Sequence, residues 1–99
     1  MTLLNLNQYG PHFQIKAISS LLTHKEFLIN IHDILSEEYF DKQAHKWIIK
    51  EILRYYDKYH TTPSMDILKV EVKKIDNEVL QLAVKESLRE AYQASEDDL

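Results

Sequence analysis

Apolar residues recur along this chain at intervals of three and four, and the positions between them are largely charged or amide-bearing, a pattern of helices that each bury one face. It is clearest over residues 41 to 60. There Ala44, Ile48, Ile52, Tyr55, Tyr56 and Tyr59 fall on one arc at about 3.6 residues per turn, while Lys42, Lys46, Lys50, Arg54 and Lys58 repeat every fourth residue on another. A core helix with a solvated basic edge is predicted. Upstream, a first helix runs from about His12 to Leu22 with Ile15, Ile18 and Leu22 on one face. Thr23-His24-Lys25-Glu26 then has the capping-box pattern and starts a second helix that buries Phe27, Ile31, Ile34 and Leu35. Ser36 to Phe40 reads as a short turn with both aromatics pointing inward, and Asp41 is placed to cap the long helix.

Thr61-Thr62-Pro63 stops that helix, because proline disfavours helical geometry in the residue before it and has no N–H to donate. Ser64 caps a fourth helix carrying Ile67, Leu68, Val72 and Ile75, and Asp76-Asn77 interrupts the path. A fifth helix from about Glu78 to Ala94 brings Leu80, Val84, Leu88 and Ala91 into register. Residues 1 to 11 read as an extended lead-in ended by Gly10-Pro11, and 95 to 99 as an acidic, mobile tail. The prediction is an all-α fold, a small bundle of about five helices in a single domain over residues 12 to 94.

Composition sharpens this picture at three points. Gly10 is the only glycine, so few positions tolerate the positive φ that tight β-hairpins need, which favours helices joined by polar turns. The chain has no cysteine, which removes disulfides, thiolate nucleophiles and cysteine-ligated zinc. Its first ten residues, MTLLNLNQYG, form no basic leader, and no run of about 18 uncharged apolar residues occurs, so the expectation is a cytoplasmic chain that neither spans a membrane nor is exported.

Charge is unevenly distributed. Residues 1 to 40 sum to −2, residues 41 to 75 to +3 and residues 76 to 99 to −5, within a total of −4 and a pI near 5.7. A dedicated nucleic-acid binder is usually basic overall, so direct DNA binding is not expected, and the basic row reads as a solvated edge. Thr61 to Lys74 has the outline of a helix-turn-helix recognition half, but the helix opens on Met65-Asp66-Ile67-Leu68, apolar or acidic where base edges would be read. Five histidines, His12, His24, His32, His45 and His60, include no pair spaced to ligate a metal from one helical face. Glu37-Glu38 and Asp97-Asp98 read as solvated carboxylates. A phosphate-cradling G-x-x-x-x-G-K-[ST] loop needs two glycines, so the residues predict no catalytic site and no nucleotide cofactor in this chain. Trp47 lies between the apolar and basic rows, with Lys50 and Arg54 one to two turns on, and is a candidate contact residue.

One resemblance adds to this reading. Ala44-His45-Lys46-Trp47-Ile48-Ile49-Lys50-Glu51-Ile52 resembles the A-H-R-x-I-[FY]-x-x-I helix in the N-terminal domain of DnaB-type replicative DNA helicases. Gln14 to Leu22 is similar to that family's E-x-x-V-L-G-x-L-L first helix, Glu38-Tyr39-Phe40 to its E-x-F turn, and Pro63 to Leu68 to its P-[IT]-x-[DL]-x-[VL] helix start. The four segments follow in the family's order over residues 14 to 68. Ser19 stands where the family usually has glycine, and Gln14 where it usually has an acid. The later G-G-x-x-Y-L segment of bacterial members is absent, and the charged helix in its place is similar to helicases of T4-like phages.

The resemblance implies a DnaB N-terminal-domain-like fold and a role in assembly. Such domains form the collar tier of a hexameric ring and offer surfaces to primase and helicase loader. ATP, magnesium and unwinding belong to a RecA-like motor domain that these residues do not contain. The expectation is therefore a non-catalytic interaction domain of a phage replicative helicase, acting in the host cytoplasm and self-associating in the full-length protein. Candidate interface residues are Trp47, Lys50 and Arg54 on the long helix and Leu80, Val84, Leu88 and Tyr92 on the last. The alternatives are a free-standing helical adaptor or regulator of replication proteins, and a small DNA-binding protein using the basic edge.

Overall fold

The computed structural model describes the backbone of residues 10 to 97 and the side chains of residues 13 to 94. Five α-helices and one 3₁₀ turn make up the described chain: α1 (Gly10–Thr23), α2 (Lys25–Ile31), the turn Glu37–Tyr39, α3 (Gln43–Tyr59), α4 (Met65–Lys73) and α5 (Glu78–Asp97). The all-α, five-helix expectation holds. The lead-in predicted for residues 1 to 9 and residues 98 and 99 of the predicted tail lie outside the described residues, whereas 95 to 97 continue α5.

Helices α1, α3 and α5 pack on one another, α2 closes against α1, and α4 against α5. The shared core takes Ile18 and Leu21 from α1, Leu28 from α2, Ile48, Ile49 and Ile52 from α3, Leu68 and Val72 from α4, and Val84 and Leu88 from α5. Phe40 is fully buried and Tyr39 packs partly against the same core, so the inward-pointing aromatics of the turn are observed. Burying such side chains stabilises a fold by about 1.5–3 kcal/mol each, and they make one contiguous cluster.

The helix ends differ from the sequence reading in instructive ways. Gly10-Pro11 opens α1 instead of preceding it, because a proline in the first turn loses no hydrogen bond that the helix would have made. Thr23 does not cap α2: its hydroxyl donates backwards to the Ser19 carbonyl at 2.7 Å, and the N-cap is His24, which makes no side-chain cap bond. A threonine at a helix C-terminus can bond the carbonyl one turn back, and that local partner won. Asp41 is likewise no cap; Lys42 holds the N-cap position of α3 without a side-chain bond. Ser64 does cap α4, accepting from the Ile67 N–H at 3.3 Å, and Asn77 does the same for α5 through Leu80 N–H at 2.9 Å.

Helix α2 also buries a different face. Leu28 is fully buried and Leu35 nearly so, but Phe27 and Ile34 are exposed and Ile31 is half-buried. The helix ends at Ile31 in a turn where the N–H groups of Ile34 and Leu35 both reach the Ile31 carbonyl, so the helical period does not carry through to Ile34. In α3 the apolar arc is shorter than its sequence pattern. Ala44, Ile48 and Ile52 are buried, Tyr55 and Tyr56 half-buried, and Tyr59 exposed. Burial falls off along the last turns of the helix, and Tyr56 still packs against the core. The helix closes on His60, whose φ of 59° is left-handed, and Thr62 Oγ1 then donates to the Leu21 carbonyl at 3.0 Å, tying the α3–α4 connection to the end of α1.

Candidate functional site

The basic edge of α3 is met by carboxylates from its neighbours. Lys50 lies 3.7 Å from Glu37 of the 3₁₀ turn, and Lys46 donates to the Glu37 carbonyl at 3.5 Å. Arg54 bridges Glu51 on its own helix and Glu71 on α4, the latter at 2.9 Å, and Glu71 also holds Lys74 at 2.9 Å. Hydrogen bonding to Glu51 holds the Arg54 guanidinium more firmly protonated, and Lys74, with Arg54, keeps the Glu71 carboxyl below its ordinary range. Exposed pairs of this kind are screened by solvent and contribute little to stability. Lys58 sits 5.3 Å from the Tyr59 ring centroid, and the Tyr55 and Tyr59 rings lie 4.5 Å apart.

The candidate residues do not form one patch. Trp47 is half-buried against the core, and Lys50 and Arg54 are exposed in the paired row. On α5 the proposed seam splits. Val84 and Leu88 lie inside this chain's own core, 0% and 4% exposed, so Val84 has no face left for a neighbour and Leu88 reaches the surface only at the base of a groove against α4. Leu80 and Tyr92 are half-buried, and burial raises the Tyr92 phenol above its usual pKa. The apolar surface that α5 does expose is Val79 and Leu82, 79% and 64% accessible. Val79 lines a cleft formed with the start of α3 by Lys42, Gln43, Ala44 and Leu80, and Leu82 stands one helical turn further along α5.

Under the α3 helix start lies a joint that periodicity alone did not single out. Gln14 and His45 are both buried, and the Gln14 Oε1 accepts from the Asp41 backbone N–H at 3.3 Å and from His45 Nδ1 at 3.2 Å. An amide oxygen only accepts, so the imidazole proton is on Nδ1, and His45 Nε2 has no protein partner among the described residues. Burial, with Lys42 nearby, lowers the His45 pKa to about 4 against a weaker opposing pull from Asp41. The ring is neutral at physiological pH and works as a clasp between α1 and α3. A signal was present: His45 stands three, four and seven residues before Ile48, Ile49 and Ile52, on the buried stripe.

Among the described residues no group of three or more histidines and carboxylates is arranged to hold a metal, and no helix is long and apolar enough to cross a membrane. Compared with models of known protein families, with curated proteins and with solved structures, the chain matches none.

Proposed function

We propose that this chain is the non-catalytic collar domain of a phage-type replicative DNA helicase, which holds neighbouring subunits in the ring and presents surfaces to primase or helicase loader. The observation that carries this reading is where the family-like segments meet. Residues 14 to 22, 38 to 40, 44 to 52 and 63 to 68, which follow the family's order in sequence, are α1, the 3₁₀ turn, α3 and the start of α4, and all contribute to one core. Two of them are joined directly by the Gln14–His45 bond, made at a position where the family usually has an acid. Self-association would use Val79 and Leu82, the most exposed apolar side chains on α5.

ATP, magnesium and unwinding belong in this reading to a motor domain outside these residues, and the purified chain is expected to give no ATPase activity and no nucleotide-dependent thermal shift. The deciding observation is the coding sequence beyond the Leu99 codon. An open frame entering a Walker A loop supports the collar reading. A stop codon there, together with no binding of the chain to the helicase, primase or loader of the same genome, sinks it; a stop codon with such binding favours the free-standing adaptor.

A further inference from the structure

Helices α4 and α5 diverge around a groove of about 510 Å³ that the collar reading does not use. Its floor is apolar, made by Met65, Val72, Leu88 and Tyr92. Its rims are basic. Lys69 and Lys73 stand four residues apart on α4, Lys85 and Arg89 four residues apart on α5, and each pair puts one ridge of its helix along the opening. No carboxylate lines the groove, in a chain whose 16 acidic residues outnumber its 12 lysines and arginines. Lys69, Lys73 and Lys85 make no ion pair among the described residues, and only Arg89 has one, with Glu86 on its own helix.

We propose that this groove is the docking site for an acidic amphipathic helix of a partner protein. An apolar trough between two helices is filled by a third helix that lays an apolar stripe at i, i+3 and i+4 into it. The cations then select the helix. Lysine stems extend the apolar walls while their ammonium groups stay at the rim, where Asp or Glu flanking the incoming stripe would meet them from both sides. A nucleic-acid backbone would engage the same four charges, but it has no use for an apolar floor, and phosphate contacts are made at polar, solvated surfaces. The volume lies within the about 300–1,000 Å³ of clefts that bury a ligand. The proposal stands whether or not the chain belongs to a helicase.

The test is a selection from a displayed library of helical peptides with randomised faces, run on the full chain and counter-selected against the Lys69→Glu/Lys85→Glu double variant. Both side chains are exposed and outside the core, so the variant is expected to fold, with circular dichroism and melting temperature as the check. Enriched peptides are expected to carry an apolar i, i+4 stripe flanked by acids and to shift the amide resonances of Val72, Leu88 and Tyr92. Their affinity for the double variant is expected to fall at least about tenfold. Enrichment of peptides without acids, no enrichment dependent on Lys69 and Lys85, or shifts confined to another face each overturn the proposal. Tighter binding of a single-stranded oligonucleotide than of any selected peptide at these residues assigns the groove to nucleic acid. Concentration-dependent self-association abolished by the double variant assigns it to a second copy of the chain. Either result overturns the peptide assignment.

Discussion

His45 is a buried base that hydrogen-bonds an amide oxygen through Nδ1 and leaves Nε2 unpaired among the described residues, and its neutrality couples folding to pH. The imidazole pKa is lowered from 6.5 to about 4 in the folded chain, so between those values the unfolded chain binds more protons. Stability contributed by this residue is complete above pH 6.5 and is lost as the pH falls towards 4. Between pH 7 and pH 5 the loss should be about 1–2 kcal/mol in denaturant unfolding. His45→Phe should flatten that slope, and an unchanged slope would move its origin to other groups. An acid can also be introduced at the other end of this bond. Gln14→Glu would put a carboxylate where Oε1 now accepts, and the His45 titration followed by NMR is expected to move upward by a unit or more, about the size of an ion-pair shift. An imidazole that titrates at the same pH in both proteins rules out the clasp as described.

At the scale of helices, the caps discriminate between residues that look alike in sequence. Ser64 and Thr23 both precede a helical run, yet only Ser64 accepts a bond from a free N–H at a helix start. Ser64→Ala should therefore cost about 1 kcal/mol and Thr23→Ala, as a capping effect, much less. Comparable losses for the two would mean that Thr23 caps α2 in solution. The end of α3 offers a gain instead. His60 adopts a left-handed conformation that costs an ordinary residue about 1 kcal/mol, so His60→Gly should raise the melting temperature while His60→Val lowers it. The glycine variant forgoes the edge-on contact of the His60 ring with Tyr56, 5.9 Å between centroids, which reduces the gain but not its sign.

For the whole molecule the question is assembly. A standard stable interface takes about 800 Å² from each partner, and the last helix has already committed Val84 and Leu88 to its own core, which leaves Val79 and Leu82 as its exposed large apolar side chains. A monomer or weak dimer is expected by light scattering across concentration. Leu88→Glu would place a carboxylate among apolar side chains and should unfold the domain, at more than about 4 kcal/mol out of a typical 5–15, and so cannot report on association. Val79→Glu with Leu82→Glu leaves the core intact and should abolish any dimer. A dimer that survives this pair does not use the outer face of α5, and a stable hexamer would mean that the described bundle drives ring formation unaided.

Much of this architecture was legible along the chain, for a reason local to each segment. Spacing of Ile15, Ile18 and Leu22, of Ala44, Ile48 and Ile52, and of Val84, Leu88 and Ala91 determined which helices form and which face each buries, because period and burial are properties of a single helix. Pro63, Ser64 and Asn77 set boundaries by backbone chemistry that needs no distant partner. Interactions between segments were decided only by tertiary structure. Gln14 and His45 are 31 residues apart, and nothing in either local pattern says that they meet. The phase of the seven-residue α2 turned on where the chain left α1, too short a window for periodicity to resolve. Lys69–Lys73 and Lys85–Arg89 are visible as pairs in sequence, but whether two basic ridges face one groove or opposite sides of the bundle depends on how α4 and α5 are rotated against each other. Packing of Val72 and Leu88 into the common core sets that rotation, and with it a groove in which cations surround an apolar floor.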